Sequence, residues 1–397
     1  MLKGKTAVLA VTGSIAAYKI ANLARMLKKL HCDVHVLMTQ NATNFINPIT
    51  FESLTGTKCL IDTFDRNFEF SVEHVALAKR ADVVLVAPAS ANVIGKIANG
   101  LADDMLTTTV MACPCKKIVS PAMNHNMFHN PIVRDNIKKL KAYGYEIIEP
   151  DNGMLANGDI GDGRMPDEAV LLEYILKEIA CEKDLTGKKI LITAGATRES
   201  IDPVRFITNH SSGKMGVALA KAAALRGAQV TLVAAHTDVE LPMFVKTIRV
   251  ESAEDMFNAV TENMHSYDCI IKAAAVADYT PVSIADSKIK KGDGEMSIEL
   301  KRTKDILAYL GENKKRGQFI CGFSMETDNV LENSRKKLEK KKCDMICANS
   351  LRTQGAGFGT DTNIITLITK NSETELPMLS KFEAAHRILT AIFEMKK

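Results

Sequence analysis

Thr197 to Gly216 reads TRESIDPVRFITNHSSGKMG. Before it, Lys188 to Gly195 (KKILITAG) is a short apolar run bounded by Gly187 and Gly195, which predicts a buried strand. After it, Lys214 to Gly227 sets Met215, Ala218, Leu219, Ala222 and Leu225 on one helical face. A strand joined to a helix in this way predicts a parallel sheet. Strand-to-helix loops usually take about 2–6 residues. This one is far longer and carries Arg198, Arg205, Asn209 and His210. Ser211, Ser212, Gly213 and Lys214 then fall in the first turn of the helix. Free backbone N–H groups and the positive end of a helix dipole make such a junction an anion site. The stretch therefore predicts a loop that holds a phosphorylated or carboxylated ligand.

The alternation continues downstream: strand 229–235, helix 253–264, strand 268–272, strand 318–323, helix 328–342, strand 344–348 and a late strand 363–369. An independent alternation precedes it: strand 5–11, helix 15–30, strands 33–38, 81–87 and 117–120, and a closing helix 166–180. A chain of 397 residues exceeds one ordinary core, and about two domains of roughly 150–200 residues is the expectation. We expect two doubly wound α/β domains with mainly parallel sheets, 1–186 and 187–397, the boundary falling in the polar CEKDLTGK near Thr186. Composition (46% hydrophobic, 25% charged) is that of a soluble globular protein, and a net charge of +4 gives little support for a nucleic-acid partner. No apolar run approaches the ~20 residues of a membrane span, and MLKGKTAVLAVTGS reads as a first strand, not a signal peptide. Nine cysteines in no framework spacing predict reduced thiols and a cytoplasmic setting. Cys113-Pro-Cys115 lacks the paired spacing of a zinc site.

The first strand–helix turn, VTGSIAAYK, is not G-x-G-x-x-G, which disfavours NAD; Gly13 and Ser14 at a helix start suit the single phosphate of a mononucleotide. PASAN (88–92) and PAMNHNMF (121–128) follow two strands and let a flat ring lie against backbone. In the second half, Ala273-Ala274-Ala275 leads into Asp278-Tyr279. Lys288, Lys290 and Lys291 sit on a loop able to close over phosphates, and Lys337 and Lys341 share a helical face.

In combination, Gly13-Ser14, His74, PASAN and PAMNHNM resemble the flavin-dependent cysteine decarboxylases. The resemblance implies a flavodoxin-like domain with FMN held by Gly13, Ser14, Thr39, Ser90, Asn92 and Met123. His74 would be the catalytic base and Asn124 would hold the substrate carboxylate. LANGDIGDGRM (155–165) resembles the family's substrate-covering segment, but Asn157 stands where many members that make the saturated amine carry a proton-donating cysteine. Either another donor replaces it or the reaction stops at the enethiol. The first is favoured, because the second domain makes sense only with the complete pathway.

Residues 188–395 resemble the phosphopantothenate–cysteine ligases through TAGATRESIDPVRFITNHSSGKMG, AAAVADY, KIKK, GFSMET and CDMICAN. The resemblance implies a Rossmann-like domain that uses CTP and Mg2+. It forms an acyl-cytidylate from 4′-phosphopantothenate, and the cysteine amine then displaces CMP. Asn209 would handle the acyl-cytidylate, with Arg205 beside it. Asp278, Lys288, Lys304, Asp305, Ile306, Leu307, Phe323, Lys337 and Lys341 would form the CTP site, Lys288 stabilising charge, and Ala275 would fall in the subunit contact. KDIL (304–307) departs from the family's proline-containing version, and the resemblance assigns no metal ligand. Together the halves resemble the bifunctional enzymes of coenzyme A synthesis, in which the ligase product is the decarboxylase substrate. Ligase dimers and flavin-domain trimers, which together would build a dodecamer, are implied. A non-catalytic flavin- or nucleotide-binding regulator is the alternative from another class.

Overall fold

In a computed structural model the chain forms two compact units, Met1–Cys181 and Glu182–Lys397. The structure describes residues 1–63, 73–154, 158, 160–291, 295–326, 329–350 and 360–395. Asp184 and Leu185, from the polar segment expected to join the halves, pack in the second unit. The Leu185 N–H donates to the Arg226 carbonyl, and Asp184 pairs with the Arg226 guanidinium.

In the first unit, β1 (Thr6–Val11), β2 (Asp33–Met38), β3 (Val83–Ala89), β4 (Lys116–Pro121) and β5 (Glu146–Ile147) form one sheet in the order β2-β1-β3-β4-β5. All its pairs are parallel. β1 is buried along its whole length, as a strand covered on both faces requires. α1 (Ala17–Lys29) packs with α2 (Pro48–Thr55) and α8 (Glu168–Ile179). α3 (Glu73–Arg80), α4 (Ala91–Ala98), α5 (Met105–Ala112) and α7 (Pro131–Ala142) build a second layer. Leu77, Ile94, Val110 and Leu140 from that layer share one core with Val8, Val84 and Val119. Two elements differ from expectation. The third strand runs on through Pro88 and Ala89, because VVLVAPA is buried throughout and only Ser90 starts the turn. The covering segment is in part an antiparallel ribbon, β6 (Asp151–Met154) and β7 (Ile160–Arg164), whose glycines and exposed polar residues carry no apolar alternation; the short α6 (His125–His129) lies beside it.

In the second unit the chain-ordered strands are β8 (Lys189–Ala194), β9 (Arg198–Ser200), β10 (Phe206–Thr208), β11 (Gln229–Ala234), β12 (Lys246–Arg249), β13 (Cys269–Lys272), β14 (Tyr279–Pro281), β15 (Leu300–Arg302), β16 (Phe319–Glu326), β17 (Met345–Ser350), β18 (Thr362–Asn363), β19 (Ile365–Thr369) and β20 (Glu373–Glu375). The main sheet runs β12-β11-β8-β13-β16-β17, all parallel, and continues antiparallel into β19 and β20. Ile190, Ile192 and Ile271 pack under α9 (Lys214–Leu225) and α13 (Lys381–Glu394). Leu191, Ile270 and Ile320 pack under α10 (Ala253–Thr261), α11 (Ile306–Asn313) and α12 (Val330–Lys340). The long loop after β8 is not wholly irregular: β9 and β10 pair as a small ribbon, with the Arg198 guanidinium 4.5 Å over the Phe206 ring. Short polar strands give no period-2 signal, so the sequence shows only the loop.

Both sheets reverse strand order beside their first strand. Ligands of open α/β sheets bind in the crevice outside the carboxyl ends at that point.

Candidate functional sites

In the first unit the reversal lies between β1 and β3. Thr12, fully buried, donates its hydroxyl to the Pro88 carbonyl (2.6 Å) and accepts the Ser90 N–H (2.9 Å), which ties the two strand ends together. Gly13 follows at a close approach: a Cβ there would lie 2.8 Å from the Asn41 Cβ. Thr39 and Ser90 both cap helical turns, accepting from Ala42 and Val93 N–H. A cavity of about 510 Å³ opens at this edge, lined among others by Ser14, Lys19, Met123, Asn124, Met154 and Arg164. Asn124 caps α6 by accepting the Asn126 N–H through Oδ1 (2.9 Å), which leaves its Nδ2 as the group able to donate. The Met123 N–H donates to Gly163 O at 3.1 Å, so the ribbon forms one wall of the cavity.

The structure thus brings Ser14, Met123 and Asn124 to one cavity. Thr39, Ser90 and Asn92 lie on neighbouring strand-end turns and are not among its lining residues. His74, half-buried, opens α3, which packs on α5 in the other helix layer. Asn157 falls outside the described residues. The residues present fit a flavin mononucleotide: an apolar wall of Ile15, Ala122, Met123 and Met165 for a flat ring, and an α1 start with no acidic residue in its first turn for a phosphate.

In the second unit the reversal lies between β8 and β13, and buried threonines stitch it. Thr193 Oγ1 accepts the Ala274 N–H and Thr197 Oγ1 accepts the Ala277 N–H, each at 3.0 Å. The Ala275 carbonyl accepts from Asn209 Nδ2 at 3.3 Å. Gly213 starts α9 at φ +75, and a Cβ there would meet Thr237 Cγ2 at 2.6 Å. Two cavities share this edge. One, of about 280 Å³, is lined by Asn209, residues 211–216, Ala275, Asn349 and Asn363. The other, of about 410 Å³, is lined by Asp278, Lys304, Asp305, Ile306, Leu307 and Lys341. Phe323, Lys337 and Asp278 border both. Among the described residues, Asn349 and Asn363 each keep a buried Oδ1 without a hydrogen-bond partner in the first of these, a demand that a ligand donor would satisfy.

Two expected residues stand elsewhere. Arg205 lines neither cavity. Its guanidinium grips the Asp202 carboxylate (Nε at 3.0 Å) and donates to the Ile289 carbonyl (2.8 Å). Lys288, next in the chain, is exposed and lines neither cavity. Asp202 and Lys272 escaped sequence reading. The Asp202 side chain is buried, and the Arg205 guanidinium, helped by the N–H groups of Val204, Ile289 and Arg205, holds its carboxyl far below the usual range. Lys272 looked like the end of a strand, yet it lines both cavities. Burial pushes its ammonium down to about 8, the nearby Lys337 adding to this while Asp305 and Asp278 oppose it. Its one visible signal is a lysine closing the apolar run CII ahead of three alanines.

Burial that pushes the Lys272 ammonium down to about 8 at the border of two cavities gives a pH signature. A polyanion held there is expected to bind more weakly as pH rises through about 8, where the ammonium is lost. Lys272→Met should weaken binding of a polyphosphate probe about tenfold at pH 7, the scale of a lost charge-assisted hydrogen bond. It should also flatten the dependence between about pH 7 and 9; measuring Kd across that range for both proteins checks it.

A flavodoxin-order unit with an apolar-walled cavity, followed by a Rossmann-order unit with lysine-lined cavities, defines a flavoprotein fused to a second ligand-binding α/β domain. The family model "Flavoprotein" matches residues 1–180, and "DNA/pantothenate metabolism flavoprotein C-terminal domain" matches residues 185–395. The chain is 45% identical over 401 residues to the coenzyme A biosynthesis bifunctional protein CoaBC of Bacillus subtilis (strain 168), covering 100% of this chain and 98% of the relative. It is 44% identical over 393 residues to that of Vibrio vulnificus (strain YJ016), covering 98% of each. Among solved structures, the C-terminal domain of a CoaBC protein aligns with 46% identity and a TM-score of 0.47, over 54% of this chain and 98% of that one. The chain belongs to the CoaBC family of bifunctional coenzyme A biosynthesis proteins. No helix among the described residues is long and apolar enough to cross a membrane.

Proposed function

We propose that the chain is a two-centre cytoplasmic enzyme. The second unit couples 4′-phosphopantothenate to cysteine with CTP and Mg2+, and the first decarboxylates the 4′-phosphopantothenoylcysteine so made to 4′-phosphopantetheine. The observation that carries the reading is the full-length family match laid over two strand-reversal crevices of different chemistry, one apolar and one cationic.

In the second unit, the α9 start and the paired cavities take the nucleotide phosphates, with Mg2+ carried on them. Lys337, Lys341 and Lys272 offset their charge. Asn209, held by the Ala275 carbonyl, stands where the acyl phosphate forms. A carboxylate is a poor electrophile, and a mixed anhydride gives it a leaving group for the amine to displace. In the first unit, FMN when bound supplies the electron acceptor that no side chain offers. Gly13 and Ser14 would hold its phosphate, Met123 would lie on its ring, Thr39, Ser90 and Asn92 would line its approach, and Asn124 Nδ2 would hold the substrate carboxylate. His74 would take the proton.

An assembly of copies completes the proposal for both halves. In the trimer reading a neighbouring copy brings a His74 to each cavity, since this chain's own opens α3 in the other layer. In the dimer reading the exposed apolar Tyr279, Val282, Ile284, Met296 and Leu300 on and beside β14 and β15 meet a second copy, and Lys288 is carried on that arm.

The test supplies purified, flavin-loaded protein with 4′-phosphopantothenate, cysteine, CTP and Mg2+ and identifies products by mass. Accumulation of 4′-phosphopantetheine is expected. An enethiol as the end product would mean that nothing replaces the proton donor missing at Asn157. No coupling at all would favour a regulator.

A further inference from the structure

The α6–ribbon junction carries three metal-type donors used by none of the chemistry above. His125 and His129 are four residues apart on α6, and Asp162 comes from β7. One donor atom from each lies within 4.8 Å of the others. His129 Nε2 is 3.0 Å from Asp162 Oδ2, and the two imidazole centroids are 4.4 Å apart. Asp162 is oriented from behind by Asn152, whose Nδ2 donates to the other carboxylate oxygen at 2.9 Å. The ribbon approaches His125 so closely that a Cβ on Gly161 would lie 2.7 Å from Nδ1, and the Asp162 N–H meets the same nitrogen at 3.2 Å. His129 is exposed, which leaves an open path from solvent.

We propose that His125, His129 and Asp162 form a binding site for a late first-row divalent metal, Zn2+ being the reference ion, which staples the β6–β7 ribbon to α6. Two imidazoles spaced i, i+4 on one helical turn plus a carboxylate are a nitrogen-rich set that suits Zn2+ or Co2+ and not Mg2+ or Ca2+. Asn152 supplies the outer hydrogen bond that fixes a ligating carboxylate. Binding exchanges the His129–Asp162 and Asp162 N–H contacts for metal bonds after a small inward turn of the rings, with water completing the coordination. The consequence follows from position. Asn124 directly precedes His125, and Gly163 and Arg164 directly follow Asp162, and all three line the 510 Å³ cavity. A metal here locks the wall through which substrate passes. That consequence rests on the decarboxylase reading of the cavity; the binding itself does not.

The experiment titrates Zn2+ into the full chain against a chromophoric chelator and follows backbone hydrogen exchange over 151–164. One site per chain is expected, with slowed exchange in the ribbon, nitrogen and oxygen ligands at the zinc absorption edge, and no displacement by excess Mg2+. His129→Gln and Asp162→Asn should each weaken binding by about tenfold or more. CO2 release should fall with Zn2+ and recover on chelation, while pyrophosphate release by the second unit stays constant. Binding that survives both substitutions, or sulfur scattering at the edge, would assign the zinc to thiols and overturn the site. Metal-dependent protection without any effect on CO2 release would keep the site and remove the gating consequence.

Discussion

Asn124→Asp is expected to lower decarboxylation about 1,000-fold while CTP-dependent coupling stays unchanged. The two side chains have the same shape, and both cap a helix, so α6 keeps its start. Oδ1 already accepts the Asn126 N–H at 2.9 Å, so the atom exchanged is Nδ2, on a residue that lines the cavity. An N–H2 donor becomes an oxygen with negative charge, opposite a substrate carboxylate. Losing one preorganised donor costs about 10²–10³ in rate, and like-charge repulsion in a partly enclosed cavity adds to it. CO2 release from 4′-phosphopantothenoylcysteine, set beside pyrophosphate release from CTP, separates the centres in one preparation. A variant that decarboxylates at the unmodified rate would remove Asn124 from the site.

Both strand-reversal crevices were legible because their signals are local. Gly13-Ser14, PAMN and SSGKMG each sit where an apolar run meets a helix, and a buried parallel strand allows little else. What stayed hidden depends on partners far along the chain. β6–β7, β9–β10 and β14–β15 are ribbons of strands only three to five residues long, too short to show an alternation of their own. Asp202 reads as a turn former, and only the fold brings Ile289 to it across 87 positions. Lys272 reads as polar punctuation after CII, and its low proton affinity arises from a burial that no spacing announces, with Lys337 adding to it. Arg205 shows the same dependence: the resemblance sets it beside Asn209, and only the fold shows its guanidinium held by Asp202 and the Ile289 carbonyl.

That last contact gives the other large effect. Asp202 accepts the Val204 and Arg205 N–H groups at 2.8 Å, the Ile289 N–H at 3.1 Å and the Arg205 guanidinium, so one carboxylate ties the 201–205 turn to the lysine loop. The Ala285 N–H donates to Ile201 O at 3.0 Å and adds a second tie. Asp202→Asn replaces an acceptor oxygen with a donor that must face another donor. The loop bearing Lys288 then loses its registration, and a misplacement of about 1 Å costs about 10² in rate. We expect coupling to fall about 100-fold through kcat, with CO2 release unaffected and faster hydrogen exchange over 282–291. Arg205→Lys should do less damage, since an ammonium still pairs with Asp202 but lacks the fork that also reaches Ile289. The sign with pH follows from the depressed carboxyl: the tie is fully present above the ordinary aspartate range and is lost only as pH falls through the lower native value. Coupling measured from neutral down to mild acid should therefore show no step from Asp202. A step there, or a fully active Asp202→Asn, would mean that the lysine loop is positioned by something other than this carboxylate.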